Sequence, residues 1–145
     1  LELARKFGAD ATILATEDVP GTFKECNGGL GADTVIMTAP VPMCVNQSLE
    51  AIGRGGTILF FAPTHPDVQS GINLWNLWQK EATITHSYAA DFHNLSTALK
   101  WIQQNRIQVA DMITHVLPLQ ETVQGFSLTA HPREGSLKVI IHPQE

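Results

Sequence analysis

The segment "CNGGLGADTVIM" (residues 26–37) places a cluster of glycines directly before an apolar run of strand length. The same order occurs in "GRGGTILFF" (53–61), where a second glycine cluster precedes another apolar run. Glycine is favoured where a helix ends and the chain turns. Both clusters are therefore predicted to end a helix and to lead into a strand, Asp33–Ala39 in the first case and Thr57–Ala62 in the second.

This order also excludes one interpretation of the glycines. In a loop that cradles phosphate groups, the glycines follow a strand and open a helix, so that the helix N-terminus meets the phosphate. Here the glycines come first, and the pattern G-x-G-x-x-G fails because Thr34 stands where the third glycine belongs. The phosphate-binding fingerprint is absent from this sequence.

Outside these segments, helical patterns alternate with strand-length apolar runs along the whole chain. Helices are predicted at 1–8, Val19–Cys26, Val41–Ile52, 73–80, Asn94–Asn105 and Leu119–Thr129. Strands are predicted at Ala11–Ala15, Asp33–Ala39, Thr57–Ala62, Ala82–Tyr88, Met112–Val116 and Leu137–Ile141. Such alternation is typical of an α/β fold with a parallel sheet that helices cover on both faces.

The composition restricts the class of protein. With 145 residues, 43% of them hydrophobic, the chain is long enough for a folded domain. A net charge of −5 with scattered Lys and Arg argues against a nucleic-acid partner, and no apolar run approaches the ~20 residues of a membrane helix. The two cysteines form no C-x-x-C pair, which favours a reducing, cytoplasmic setting. The first helix lacks both an initiator Met and an N-cap before Leu1, so we expect the chain to be a fragment.

The sequence indicates no catalytic or metal-binding constellation within the chain. His65, His86 and His93 are the best candidates for a metal site, but no Cys or Glu lies at a zinc-like spacing from them. Cys44 and the three tryptophans (Trp75, Trp78 and Trp101) occur at helical spacing among apolar residues, which favours core positions over a stacking platform.

Ligands of parallel α/β sheets bind beyond the carboxyl ends of the strands. The segments to inspect are therefore Thr38–Pro40, Ala62–His65 and Ser87–Ala90, where small residues and proline prevail. Their composition suits a backbone wall against a flat ligand, although ordinary loops of an α/β domain would look similar.

Taken in order, several motifs resemble the C-terminal part of the medium-chain, zinc-dependent alcohol dehydrogenases, in particular the sorbitol and threonine dehydrogenase branch. The motifs are "LELARKFGAD" (1–10), "GGLGADTVIMTA" (28–39), "SLEAIGRGGTILFFA" (48–62), "ATITHSY" (82–88), "ITHVLPLQETVQGF" (113–126) and "EGSLKVII" (134–141). The resemblance covers essentially all 145 residues. It implies a Rossmann-type sheet that lacks its first two strands, with a partial dinucleotide-binding domain at 1–90. Residues 91–145 would complete that domain and return to the catalytic domain.

The resemblance also assigns cofactor-binding roles, with NAD or NADP as the cofactor. Thr38 and Ala39 would line the adenosine side, and three residues would face the nicotinamide through their backbone: Phe61, Ala62 and Pro63. Main-chain groups would hold the carboxamide at Ser87, Tyr88 and Ala89. Lys138 would reach the pyrophosphate, where a cation offsets phosphate charge. His86 stands where these enzymes usually have Gly, so a bulkier side chain is expected beside the carboxamide site.

The implied parent enzyme would oxidise a small secondary alcohol or polyol, with zinc held by ligands outside this chain. The chain alone is expected to be inactive and to bind NAD or NADP weakly or not at all. Two alternatives stay open: a zinc-free quinone or enoyl reductase, and a non-enzymatic α/β interaction module. The resemblance further implies a homodimer or tetramer that pairs through the edge strand 82–88.

Overall fold

The computed structural model describes residues 1–39, 41–62, 64–69, 71–133 and 135–144. Its helices are α1 (Glu2–Lys6), α2 (Val19–Cys26), α3 (Pro42–Ala51), α4 (Leu74–Lys80), α5 (Phe92–Gln103) and α6 (Thr122–Ala130). Its strands are β1 (Ala32–Met37), β2 (Ile52–Phe60), β3 (Thr83–His86), β4 (Ile113–Pro118) and β5 (Lys138–His142). Short 3₁₀ turns occupy Ala110–Met112 and Leu119–Glu121.

The chain forms two compact units, Leu1–Ala89 and Ala90–Glu145. The first unit contains a three-stranded parallel sheet in the order β1-β2-β3, and the second contains the parallel pair β4-β5. All strand pairs are parallel and helices lie between them in the chain, so the predicted α/β class is confirmed. The prediction that β3 is an edge strand is also confirmed, because β3 pairs only with β2 in the part of the chain that the structure describes.

The predicted strand at Ala11–Ala15 is wrong, because this segment has no regular secondary structure. A strand persists only where a neighbouring strand takes up its backbone hydrogen bonds. Here the contacts come from side chains instead: Leu14 N–H donates to Glu17 Oε2 at 3.3 Å, and Gln47 Nε2 donates to the Ala15 carbonyl at 3.1 Å. Thr12 Oγ1 is buried without a hydrogen-bond partner in the described part of the chain.

The two glycine clusters have different roles in the structure. Gly28 and Gly29 lie between α2 and β1 with φ values of +63° and +82°, as predicted for a turn into a strand. The second cluster lies inside β2 rather than before it, which corrects the sequence-based boundary. Ala32 pairs with Ile52 and Thr34 pairs with Thr57, so β1 advances two residues while β2 advances five. The glycines of β2 accommodate this bulge.

Gly31 allows the backbones of β1 and β2 to approach each other where the two strands begin. A Cβ atom on Gly31 would lie 2.6 Å from both Cα and N of Gly53, and 2.9 Å from the Ala51 carbonyl oxygen. These neighbours are backbone atoms, which cannot rotate away as a side chain can. The start of the β1–β2 pairing therefore requires glycine at position 31.

The cross-strand register divides the side chains of the first sheet between its two faces. Val35, Ile58 and Ile84 occupy paired positions on one face, and Ile58 is fully buried there. This face contacts α3, whose Val45 is 2% exposed. On the opposite face, Ile36 is 58% exposed. The core of this unit is thus concentrated between α3 and one side of the sheet.

The prediction that the tryptophans are core residues is wrong. Trp75 and Trp78 on α4 are 61% and 70% exposed, and Trp101 on α5 is 44% exposed. The rings of Trp75 and Trp78 lie against each other, with centroids 5.0 Å apart. Helical spacing identified the face that Trp75 and Trp78 share but could not show that this face is exposed in the described structure. Cys44, also predicted to be in the core, is only partly buried.

Lys80, at the end of α4, satisfies carbonyl groups at the end of α3. Its Nζ donates to the carbonyl oxygens of Leu49 at 2.8 Å, Glu50 at 3.3 Å and Ile52 at 2.9 Å. The last carbonyls of a helix have no partner within the helix, and a cation there also opposes the helix dipole. Burial lowers the pKa of Lys80, Lys24 lowers it further, and Glu50 opposes both. Desolvation thus offsets part of the gain from these hydrogen bonds.

In the second unit, α6 packs closely against β4 and β5. A Cβ atom on Gly125 would lie 2.8 Å from Ile141 Cδ1 and 3.4 Å from Val139 Cγ1. Thr114 links the two strands, since its Oγ1 donates to the Lys138 carbonyl at 3.2 Å and accepts from Leu137 N–H at 3.0 Å. These contacts hold Lys138 at the beginning of β5.

We expect Gly31→Ala to lower the free energy of unfolding by about 1–3 kcal/mol, because the new methyl group meets rigid backbone. The matched control is Gly71→Ala, where a Cβ atom would meet nothing within 4 Å. Urea unfolding of the two variants measures the difference. Equal stability of both variants would contradict the close approach of β1 and β2.

We expect Lys80→Met to lower the free energy of unfolding by about 1–3 kcal/mol, because it leaves the carbonyls at the end of α3 without their donor. Lys100→Met, at an exposed position on α5, removes the same charge and serves as the control. Hydrogen exchange of the α3 amides then shows whether the loss is local. Unchanged exchange in Lys80→Met would argue against this role.

Candidate cofactor site at the strand ends

The carboxyl ends of β1, β2 and β3 are joined by backbone hydrogen bonds. The N–H groups of Phe61 and Ala62 both donate to the Met37 carbonyl at 3.1 Å, and Ser87 N–H donates to the Phe60 carbonyl at 3.2 Å. These bonds continue the parallel ladder one step beyond each strand. The structure thereby brings together the residues that follow each strand, at the carboxyl ends of the sheet.

Thr38 and Ala39 line a cavity of about 200 Å³ beside the end of β1, which we call the β1 cavity. Its other lining residues are Val19, Val35, Ile36, Met37, Cys44, Gln47, Ser48 and Ala51. Thr38 is exposed and Ala39 is half-buried. Both predicted residues are therefore accessible to a ligand, but most of the wall is apolar.

Ser87 and Tyr88 line a larger cavity of about 430 Å³ at the ends of β2 and β3, which we call the β3 cavity. Its other lining residues are Val45, Phe60, Thr64, Val68, Ile72, Ile84 and His86. Tyr88 is 97% exposed and stands at the mouth. Ala89 follows with φ of +57°, an uncommon conformation for alanine that marks a sharp turn after the strand.

Three of the remaining predicted cofactor residues, Phe61, Ala62 and Lys138, are not lining residues of these two cavities. Phe61 is 59% exposed and Ala62 is half-buried between the ends of β1 and β3. Pro63 lies outside the described residues. Lys138 belongs to the second unit, where its exposed side chain is at the first position of β5. Its predicted contact with a pyrophosphate stays a prediction.

The large side chain of His86 fits where glycine was expected, because its ring stacks on Phe60. Phe60 and His86 are paired across β2 and β3, so both point to the face that contacts α3. Their rings stack with centroids 5.4 Å apart and planes inclined by 23°. The imidazole covers Phe60 and forms part of the β3 cavity instead of extending over the strand ends.

The described residues offer little acid–base or metal chemistry. No group of three His, Cys, Asp or Glu side chains among them could hold a metal ion. His65 is paired with Asp67, with Nδ1 3.3 Å from Oδ2, and both side chains are largely exposed. None of the helices in the described ranges is long and apolar enough to cross a membrane.

Sequence reasoning missed several lining residues of the β3 cavity. Ile84 had a usable signal, because it alternates with Thr83 and Thr85 in the predicted strand Ala82–Tyr88. Val68 and Ile72 had none, since they lie in a Pro- and Gly-containing segment without periodicity. Only the folded chain shows that Val68 and Ile72 line the same cavity as Phe60.

Comparison with known proteins identifies similar sequences and folds. A family model described as zinc-binding dehydrogenase matches residues 1–104. An erythritol/L-threitol dehydrogenase from Mycolicibacterium smegmatis is 30% identical over 99% of this chain and 39% of its own length. An L-threonine 3-dehydrogenase from Bacillus subtilis is 31% identical over 99% of this chain and 41% of its own length.

Among solved structures, an alcohol dehydrogenase from Thermotoga maritima matches with a TM-score of 0.87 and 24% identity. The match covers 99% of this chain and 40% of that structure, and at this identity it shows the fold alone. The chain spans about two fifths of the length of the curated relatives named above.

Proposed function

This chain belongs to the zinc-binding dehydrogenase family, and on that basis we propose that it forms part of an alcohol or polyol dehydrogenase. The parent enzyme would transfer a hydride from a small secondary alcohol or polyol to a nicotinamide cofactor. The observation that carries the proposal is the family match over 1–104, and the dehydrogenase names of the relatives support it. The chain covers about two fifths of the length of those relatives, so the activity of a whole enzyme is part of the proposal.

In this proposal, the strand ends form one wall of the cofactor cleft. Thr38 and Ala39 contact the adenosine side, Phe61 to Pro63 face the nicotinamide, and Ser87 to Ala89 hold its carboxamide. Two features support this assignment: Thr38 and Ser87 are exposed, and the assigned residues follow the carboxyl ends of parallel strands. Ser87 N–H already donates to Phe60. The N–H groups of Tyr88 and Ala89 are therefore the better candidates for binding the carboxamide oxygen.

The described residues do not fit a zinc site, because they bring together no three-ligand group. Zinc bound in such enzymes supplies Lewis-acid chemistry to the alcohol oxygen. We therefore propose that the zinc ligands belong to other parts of the parent enzyme. The contribution of this chain is to bind and orient the cofactor.

The decisive experiment is expression of the whole open reading frame that contains this chain. Oxidation of secondary alcohols or polyols with NAD or NADP, together with bound zinc in elemental analysis, is the expected result. Reduction of quinones or enones by a zinc-free product would contradict it and favour the reductase alternative. A frame that consists of this chain alone and lacks activity would favour the interaction module.

In the whole enzyme, we expect Lys138→Ala to raise the KM for the cofactor at least tenfold, because one charged phosphate contact of roughly 1.5–3 kcal/mol is lost. Lys138→Arg keeps the charge and should stay within a few-fold of the unmodified enzyme. Steady-state kinetics with varied cofactor measures both. A KM for the alcohol that rises while the cofactor KM does not would refute the assigned contact.

We also propose that the chain forms a homodimer, or a higher assembly such as a tetramer, through the edge of β3. Thr83 and Thr85 are exposed on β3, whose edge contains no Lys or Pro to prevent pairing. Beside it, the exposed pair Trp75 and Trp78 offers apolar surface that a symmetric partner would bury.

Sedimentation at micromolar concentration should therefore show a dimer or larger species. Replacing both Trp75 and Trp78 with Ser should shift the equilibrium towards monomer by tenfold or more, because it removes the apolar contact. Trp101→Ser, at an exposed position in the other unit, is the control and should leave association unchanged. Ile84→Pro tests the strand edge itself. A monomeric unmodified chain would rule out the interface.

A further inference from the structure

The second unit contains a bulge in β4, directly beside the start of β5. Ile113 pairs with Lys138 and His115 pairs with Val139, so β4 advances two residues while β5 advances one. Thr114 is the additional residue of this bulge. Bulges change the direction of the side chains around them, which makes the position next to Lys138 worth attention.

The bulge places Ile113 and His115 on opposite faces of the pair β4–β5, although residues two apart in a regular strand share a face. His115 pairs with Val139, whose side chain faces α6, since a Cβ atom on Gly125 would lie 3.4 Å from Val139 Cγ1. Side chains alternate along β5, so Lys138 and Ile113 lie on the other face. The bulge thus reconciles β4 with a lysine that points away from α6.

The Thr114 hydroxyl replaces ladder hydrogen bonds at the bulge. Its Oγ1 accepts from Leu137 N–H at 3.0 Å and donates to the Lys138 carbonyl at 3.2 Å. One hydroxyl group therefore binds the backbone on both sides of the dipeptide 137–138. Chain segments at the ends of regular elements fray readily, and this bridge opposes fraying at the first residue of β5.

His115 fixes the orientation of this hydroxyl. A hydroxyl group has one hydrogen to donate and two lone pairs that accept. The hydrogen of Thr114 is directed to the Lys138 carbonyl, and one lone pair accepts from Leu137 N–H. His115 Nδ1 lies 2.9 Å from the same oxygen. These bonds are compatible only if Nδ1 carries a hydrogen and donates it to the second lone pair, which fills every bonding position of the hydroxyl.

We propose that Thr114 is a positioning residue for Lys138, and that His115 holds the Thr114 hydroxyl in place through Nδ1–H. The inference rests on the proposed pyrophosphate contact of Lys138 and extends it to two residues without a cofactor assignment. Loss of the hydroxyl keeps the charge of Lys138 but frees the start of β5, so the ammonium group spends less time at the phosphate. Cofactor binding then weakens, while the hydride transfer step is unaffected.

The hydrogen bonds are tested on the chain itself, without cofactor. In Thr114→Val, the amide hydrogen of Leu137 should exchange at least tenfold faster, whereas Thr114→Ser retains the hydroxyl and should stay within threefold. Thr129→Val removes a hydroxyl that donates to the Gly125 carbonyl on α6, and it should leave Leu137 exchange unchanged. ¹⁵N NMR should show the hydrogen of the neutral His115 ring on Nδ1. Unchanged exchange in Thr114→Val, or the hydrogen on Nε2, would overturn the proposal.

The positioning role is tested in the whole enzyme. Thr114→Val should raise the KM for the cofactor threefold to tenfold with kcat within twofold, while Thr114→Ser and Thr129→Val change neither by more than twofold. In a Lys138→Ala background, Thr114→Val should have no further effect, because the side chain that it positions is gone. An equal effect of Thr114→Val in both backgrounds, or no effect where Lys138 is present, would refute the role. An unchanged cofactor KM in Lys138→Ala would refute the pyrophosphate contact itself, and the positioning role with it.

Discussion

The close approach of two backbones at Gly31 and Gly53 is the constraint on which the first unit depends. It allows β1 to begin beside β2, and the parallel ladder then runs without interruption from Thr57 to Phe60. That ladder positions two carbonyl groups at the carboxyl ends of the strands. The Met37 carbonyl accepts from the N–H groups of Phe61 and Ala62, and the Phe60 carbonyl accepts from Ser87 N–H. The arrangement of the candidate site is therefore a consequence of pairing established at the opposite end of the strands.

Most of the fold could be predicted from the sequence because helix and strand periods alternate clearly. The runs around Val35, Ile58 and Ile84 predicted three strands in their correct order along the chain. Ala11–Ala15 carries the same kind of apolar pattern but is not a strand, since the pattern does not show whether a neighbouring strand is present. Residues 53–56 were predicted to precede β2, whereas they form a bulge within it. A bulge is defined by pairing with the neighbouring strand, which the sequence of β2 alone does not show.

The candidate site was predictable in part. Ligands bind at the carboxyl ends of parallel strands, and this rule predicted Thr38, Ala62 and Ser87 as site residues. In the structure all three lie at the carboxyl ends of the first sheet. The stack of His86 on Phe60 could not be predicted, because it depends on cross-strand register. The exposure of Trp75 and Trp78 was likewise hidden, since periodicity identifies a face but not its covering.

The bulge in β2 also separates the two ends of this strand mechanically. Its three additional residues lie near the amino end, whereas the residues that pair regularly with β1 and β3 lie beyond Gly56. A gain or loss of residues at 54–55, between the close contacts of Gly53 and Gly56, changes the size of the bulge and leaves the later pairs in place. A gain or loss of one residue within β1 moves every following side chain to the other face of the sheet. A change of length is therefore tolerable at the amino end of β2, while the carboxyl ends of the three strands keep their alignment.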